Sequence, residues 1–330
     1  MGCEKQAPSA PVPVNGNDGA NQIVIGNEGG FTYGNASLQL YDPESEELRD
    51  AVFQTANQRP LGDVLQDVRL FDGRLYVVLN NSNRIEVIDT SDFGIIGSIT
   101  GLTSPRYLLP VSERKCYVTD FLAEAIHIID PVLFEKTGEI PLPGWTEELI
   151  LVDDMVWVTN RQSEYIYLID PETDAVKDSV VVAYGSGAIG QDGEGFIWTY
   201  CAGDVANQLP GGLYRLNPET KSVIQSLALP ADGGLFPRLA FDADRDTLFY
   251  LQNGVHALHV EATSLPSVAY LPAAGRNWYG LGYDPYRHEL WVGDARDYQR
   301  SGDVYRYDRQ GNPIDQFKGG VIPSVFRVLE

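Results

Sequence analysis

The sequence predicts an all-β chain that forms a seven-bladed β-propeller with four strands in each blade. Three observations predict it. A strand, a tight turn and a second strand recur along the chain, as in "YIYLIDPETDAV"; the units are 40 to 47 residues long; and seven of them account for residues 21–330. Four-stranded units of that length are typical of propellers. No long segment shows the 3.6-residue spacing of an amphipathic helix.

The repeats align on one polar residue that ends each third strand. A second strand rich in β-branched and aromatic residues precedes it, such as "VWVT" or "LWVG", and this composition packs well on a pleated surface. In the turn that follows, proline presets the backbone and aspartate accepts hydrogen bonds from nearby amides. The aligned residues are Asp42, Asp89, Asp130, Asp170, Asn217, Glu261 and Asp308.

The two ends of the repeat region predict how the ring closes. The first unit, which begins at Ile23, lacks an obvious first strand, whereas the chain ends in "SVFRVLE". That segment resembles the first strands "DVRLFD" and "PRLAFD" of other units. We therefore expect the C-terminal strand to join the first blade and to pair with its exposed edge.

Composition excludes several partners. The formal net charge of −22 repels nucleic acid and anionic membrane surfaces. The sequence contains no run of about 18 apolar residues, so it predicts no transmembrane helix. Residues 1–20 are rich in Pro, Gly, Asn and Ala and predict a disordered tether ahead of a propeller over 21–330.

The three cysteines fall into two groups. Cys3 follows Gly2 directly before the tether, and such a junction resembles that of bacterial lipoproteins, so we expect Cys3 to carry lipid. Cys116 and Cys201 lie in strand-like segments of different repeats without metal-ligand spacing, and we expect buried, inert thiols.

Strand alternation sorts the connections onto two faces. Connections from first to second strand and from third to fourth share one face, here called the turn face, and we expect them to be short and uniform. Connections from second to third strand and between blades share the other, here called the loop face. Its loops are longer, vary more and contain many aromatic and arginine residues. Function gathers on loops held by a rigid scaffold, so the loop face is the predicted site.

The predicted ligand-binding residues are aromatic, arginine and small polar side chains of the loop face, a combination typical of ligand sites. Tyr107 and Tyr279 lie beside first strands and are expected to plug the space between blades instead. The predicted binding residues are Phe31, Tyr33, Asn80, Asn81, Arg106, Phe121, Trp145, Arg161, Tyr184, Asp204, Phe236, Arg238, Arg276, Trp278 and Tyr298.

The sequence does not predict an enzyme, a resident metal or a catalytic cofactor. His127, His256 and His259 fall on third strands and His288 in a turn-face turn, and none shares a loop with a nucleophile. "DADRD" at 242–246 lacks the glycine and distal glutamate of a calcium loop and predicts a plain turn. Paired carboxylates on the loop face remain an alternative source of acid–base chemistry.

The repeats resemble a known family. The "[IL]-D-P-x-T" turns preceded by "[YW]-V-T-N" resemble the YncE-type seven-bladed propellers, and with Cys3 and the tether they are most similar to BtuG-type surface lipoproteins of Bacteroidetes. The resemblance implies an outer-membrane, lipid-anchored, cell-surface protein. It further implies that the loop face binds cobalamin (vitamin B12), or a related large nutrient, and passes it to a TonB-dependent transporter.

Two other functions remain open from the sequence. One is a protein-interaction scaffold of the cell envelope, which predicts a flat aromatic patch. The other is a propeller enzyme of the lactonase or lyase type, which predicts a metal or facing carboxylates at the central channel.

Overall fold

The computed structural model describes residues 22–230 and 237–329, and within them the predicted seven-bladed propeller is confirmed. Each blade is a sheet of four antiparallel strands. The first strands of neighbouring blades contact one another in ring order and surround a central channel. The predicted tether with Cys3, and the predicted binding residue Phe236, lie outside the described residues.

The strands are numbered in chain order. Those of the first two blades are β1 (Ile23–Asn27), β2 (Ser37–Asp42), β3 (Glu47–Arg49), β4 (Leu65–Phe71), β5 (Arg74–Leu79), β6 (Arg84–Asp89) and β7 (Ile95–Ile99). Those of blades three and four are β8 (Pro105–Ser112), β9 (Lys115–Asp120), β10 (Ala125–Asp130), β11 (Glu135–Pro141), β12 (Thr146–Val152), β13 (Met155–Asn160), β14 (Tyr165–Asp170) and β15 (Ala175–Val181).

The remaining strands complete blades five to seven and close the ring. They are β16 (Ser186–Gln191), β17 (Ile197–Cys201), β18 (Gly211–Asn217), β19 (Ser222–Leu229), β20 (Leu239–Phe241), β21 (Thr247–Leu251), β22 (Gly254–His259), β23 (Leu271–Pro272), β24 (Trp278–Asp284), β25 (Glu289–Asp294), β26 (Ser301–Tyr307), β27 (Pro313–Val321) and β28 (Pro323–Val328).

Strand β28 closes the ring as predicted. It pairs antiparallel with β1, with Ile23 opposite Val328 and Ile25 opposite Phe326. The first blade therefore contains both ends of the described chain, and its inner edge is covered by backbone hydrogen bonds.

The core is divided among the seven gaps between blades. Apolar side chains of facing sheets fill each gap, and second strands contribute the largest of them, including Trp157, Trp198 and Trp291. Cys116 and Cys201 are buried in these layers, as predicted, and burial raises the pKa of each thiol to about 12. Removing this apolar surface from water makes the ring a stiff scaffold.

Two short helical segments depart from the repeat. Helix α1 (Val52–Asn57) and a 3₁₀ turn (Asn80–Ser82) lie in loop-face connections. In the described ranges, no helix has the length and apolarity needed to cross a membrane.

The expectation of uniformly short turn-face connections is wrong for blade six. There the link from β22 to β23 covers residues 260–270, because β23 contains only two residues. Pro266 and Pro272 lack the amide hydrogen that a paired strand uses, which explains the shortened strand. Conversely, β27 and β28 on the loop face are joined by Ile322 alone.

Candidate ligand-binding site

A cluster at blades three and four occupies one side of the loop face; we call it the Trp145 cluster (Arg106, Phe121, Trp145, Glu147, Arg161). The Phe121 and Trp145 rings pack with centroids 4.3 Å apart. The guanidinium carbons of Arg106 and Arg161 lie 5.3 and 5.6 Å from the Trp145 ring centroid. Cations at this distance are attracted to the ring face, so two arginines and two aromatic rings form one packed group.

A buried ion pair supports the Trp145 cluster from below. Arg106 donates from Nε and Nη2 to the two carboxylate oxygens of Glu147, at 2.8 and 2.5 Å. Trp145 Nε1 donates to the same carboxylate at 2.5 Å. Burial alone would lower the pKa of Arg106, but the charge and hydrogen bonds of Glu147 raise it. The bidentate hydrogen bonds therefore fix the orientation of the Arg106 guanidinium and favour its charged form.

A second polar network closes the channel at the same level. Arg238 Nη1 and Gln66 Nε2 each donate to the hydroxyl of Tyr107 at 2.9 Å. The Arg238 guanidinium carbon lies 5.5 Å from the Tyr279 ring centroid, and the Tyr279 hydroxyl bonds to Glu28. Burial raises the pKa of Glu28, although Arg238 opposes the shift.

Both tyrosines are buried, as expected for plugs. Tyr107 lines the channel, whereas Tyr279 packs against Ala295 of blade seven and Ile322 of the link to blade one, as expected of a plug between blades.

Across the ring, blade seven carries a Trp278 cluster (Arg276, Trp278, Tyr305). The Arg276 guanidinium carbon lies 5.2 Å from the Trp278 ring centroid and 4.8 Å from that of Tyr305. The rings of Trp278 and Tyr305 meet edge to face at 5.1 Å. Nearby Tyr298 is 45% exposed and donates to Asn277 Oδ1 at 3.3 Å. Because seven blades lie in ring order, this cluster lies on the opposite side of the loop face from the Trp145 cluster.

Among the residues that the structure describes, the blade-one loop carries the most exposed aromatic side chains of this face. Phe31 and Tyr33 are 69% and 74% exposed. Asp63 holds their loop by accepting the Thr32 amide at 2.9 Å and Asn81 Nδ2 at 2.5 Å. The loop therefore presents two aromatic rings to solvent on the loop face.

Some predicted binding residues already use their polar groups within the protein. Asn80 is buried and donates to Ser104 Oγ at 2.9 Å and to the Pro105 carbonyl at 3.0 Å. Asp204 accepts the backbone amide and the side-chain amide of Asn207, at 3.1 and 2.8 Å. Tyr184 is half-buried in the connection to blade five. Their roles in binding stay predictions.

The sequence analysis missed the acidic residues of the channel and a cavity within it. The cavity measures about 340 Å³ and is lined by the first strands. Glu148 faces it and accepts the Ile189 amide at 3.1 Å. Burial raises the pKa of Glu148 to about 7, against the opposing charge of Arg238. The sequence signal for these acidic residues is "TEE" at 146–148, at the start of a first strand.

The repeat region matches a single family model. Residues 21–318 match a family described as a domain of unknown function, DUF5074. This chain belongs to the DUF5074 family. No curated protein matches it.

Solved propellers have a similar backbone to this DUF5074 chain. A quinoprotein alcohol dehydrogenase-like protein from Bacteroides thetaiotaomicron is 11% identical, with TM-score 0.74 over 93% of this chain and 78% of its own. A putative 6-phosphogluconolactonase from Bacteroides fragilis is 11% identical, with TM-score 0.69 over 96% and 100%. Streptogramin B lyase is 13% identical, with TM-score 0.61 over 77% and 82%. At these identities the likeness shows the fold alone.

Proposed function

We propose that this chain is a non-enzymatic binding protein that captures cobalamin, or a related large nutrient, on the loop face. In this proposal Cys3 anchors it by lipid to the outer membrane, with the propeller at the cell surface, and a TonB-dependent transporter receives the ligand. Support for the ligand comes from the loop face, and support for the anchor and the transporter comes from the sequence resemblance alone.

One observation carries the proposal: two arginine–aromatic clusters lie on opposite sides of the loop face. A corrinoid is wide, with apolar edges and amide side chains. The Trp145 and Trp278 clusters offer ring faces for the apolar edges and guanidinium donors for the amides. Both clusters are anchored to first strands of a stiff ring, so few side chains need to be ordered on binding.

Calorimetric titration of the protein with cyanocobalamin tests the proposal. We expect saturable binding by the parent protein. Trp145→Ala and Trp278→Ala should each weaken it by more than about 1 kcal/mol, because central aromatic anchors dominate binding energy. Tyr286→Ala is the matched control, since Tyr286 is an exposed aromatic residue in a turn-face turn.

Absence of heat from the parent protein at micromolar concentration would rule out cobalamin. Binding that survives both tryptophan changes would place the site on other blades. A loss in Tyr286→Ala equal to that in the two variants would show that the loop face is not selective.

One observation favours a propeller enzyme as a second candidate. A lactonase or lyase is expected to have facing carboxylates, and the charge of Glu147 acts on both Glu28 and Glu148 at the channel, raising the pKa of each. A carboxyl group with a pKa of about 7 is suited to acid–base chemistry at neutral pH. Under this alternative, the parent protein turns over a lactone, the Glu148→Gln variant does not, and cyanocobalamin gives no heat.

A further inference from the structure

The channel cavity is separate from the loop-face clusters. All seven first strands line it, including Gln66 and Asp67 of β4, Glu148 of β12 and Arg327 of β28. The Tyr107–Arg238–Gln66 network forms its upper boundary, between the cavity and the loop face. A ligand in the cavity would therefore not touch the Trp145 or Trp278 rings.

The direction of the first strands shows where the cavity opens. Each first strand runs from the loop face to the turn face, so residues late in these strands lie toward the turn face. Arg69 and Arg327 are late residues, and their side chains are 33% and 38% exposed. Arg245, in the turn after β20, is also exposed and lines the cavity. The mouth is therefore on the turn face and is surrounded by arginines.

The cavity differs in charge from the rest of the chain. Among the described lining residues, four arginines accompany two carboxylates, whereas the whole chain carries a net charge of −22. A concave site with an excess of positive side chains concentrates the field and attracts anions. The lining thus favours an anion.

The arginines at the mouth are held in place before any ligand arrives. Arg69 Nε donates to the Leu108 carbonyl at 3.1 Å, and Arg327 Nε donates to the Val68 carbonyl at 2.8 Å. Arg327 Nη2 also lies 3.1 Å from an oxygen of Asp67. Deeper in, Arg238 is 8% exposed and its Nε is buried without a hydrogen-bond partner. A buried donor of this kind requires an acceptor.

We propose that the channel cavity binds a small organic anion, a carboxylate or a phosphate monoester, that enters from the turn face. The mouth arginines attract and orient the anionic group. Arg238 meets it at the inner end and gains the acceptor that its Nε lacks. The neighbouring hydroxyl of Tyr107 and amide of Gln66 provide further polar contacts for the rest of the molecule.

Calorimetric titration at neutral pH with citrate and, separately, with glycerol 3-phosphate tests the proposal, with chloride added to match ionic strength. We expect saturable binding of at least one anion with a Kd below about 1 mM. The tighter of the two identifies whether a carboxylate or a phosphate is preferred. Failure of both to bind at millimolar concentration overturns the proposal.

Charge-removing variants locate the site. Arg245→Gln and Arg69→Gln should each weaken binding at least about tenfold, because charge-assisted hydrogen bonds to the anion are lost. Arg114→Gln is the matched control: Arg114 is a 60% exposed turn-face arginine that does not line the cavity. An equal loss in Arg114→Gln would mean non-specific attraction to the face and would overturn the proposal.

A second variant and a second ligand distinguish loss of the cavity site from other effects. Arg69 lies near the buried Asp67, so its variant also perturbs the fold, whereas the exposed Arg245 allows a second substitution that does not depend on that contact. Cyanocobalamin titration of Arg245→Gln should match the parent protein, since the loop-face clusters are untouched. A change there would show that the two sites are one and would overturn the separate cavity site.

Discussion

The two faces of the ring use the same polar residues in different ways. On the turn face, several aspartates bond to their own turns: Asp170 accepts the Glu172 amide at 2.8 Å and Asp308 accepts the Gln310 amide at 2.8 Å. On the loop face, polar side chains reach other blades, as Arg238 does to Tyr107. Hydrogen bonds within a turn stabilise the link between two paired strands. Hydrogen bonds between blades instead bring side chains of several blades to one point. The loop face therefore brings side chains of several blades together at one point.

Two arginine–carboxylate pairs show the contrast most directly. Arg106 and Glu147 come from different blades and are almost fully buried, with side chains 6% and 4% exposed. Arg114 and Asp130 belong to one blade on the turn face, and Arg114 is 60% exposed. Both pairs have close contacts, so burial is the main difference between them.

The largest expected effect comes from breaking the buried pair. Arg106→Gln leaves the Glu147 carboxylate buried without its bidentate partner, and we expect a loss of roughly 3 to 5 kcal/mol in the free energy of unfolding. Arg114→Gln should lose less than about 1 kcal/mol, because solvent screens the exposed pair. Urea unfolding of the two variants and the parent gives the comparison. Equal losses would show that burial does not distinguish the faces.

The pH dependence of stability tests the channel next. The pKa of Glu148 is raised from its ordinary value of 4.5 to about 7, by burial first and by Glu147 and Asp67 after it, against Arg238 and the Ile189 amide. Arg69 and Tyr107 also interact with its charge. Between these two pH values the folded protein keeps a proton that the unfolded chain releases. This group therefore makes the free energy of unfolding fall as pH rises from 4.5 to about 7.

Glu148→Gln isolates this contribution, because the amide oxygen can still accept the Ile189 amide hydrogen. We expect the variant to match the parent near pH 5 and to exceed its stability near pH 8 by up to about 3 kcal/mol. Urea unfolding at both pH values measures the difference, since other titrating groups are common to the two proteins. A constant difference across this range would contradict the raised pKa.

The fold was predictable from sequence because its signals are local. Strand composition, turn residues and repeat length identified the blades, and "SVFRVLE" identified the closing strand. The loop face followed from strand alternation. The contacts that define the site were not predictable, because they join residues far apart in the chain. Arg106 and Glu147 are 41 positions apart, and Tyr107 and Arg238 are 131 apart.

These residues come together because the blades form a ring, and no sequence pattern indicates that contact. The same reason explains why the cavity was not predicted, because its lining comes from one side of every first strand. It also explains why Asn80 is a candidate ligand residue in the sequence, although its amide bonds to Ser104 and Pro105 at the start of blade three. That the loop face binds a ligand stays a prediction, and contacts between blades determine which of its side chains are already engaged.

The smallest expected effect comes from a matched pair of aspartates, one on each face. Asp170 accepts the Glu172 amide and the Thr173 hydroxyl, both at 2.8 Å, and Asp204 accepts two nitrogens of Asn207 at 3.1 and 2.8 Å. Asp170→Ala and Asp204→Ala should each lose about 1 kcal/mol in the free energy of unfolding, since each removes two exposed hydrogen bonds. Only Asp204→Ala should also weaken cyanocobalamin binding, as measured by calorimetry. If neither variant changes affinity, Asp204 supports its loop in the way that Asp170 supports its turn, and the binding surface excludes that loop of blade five.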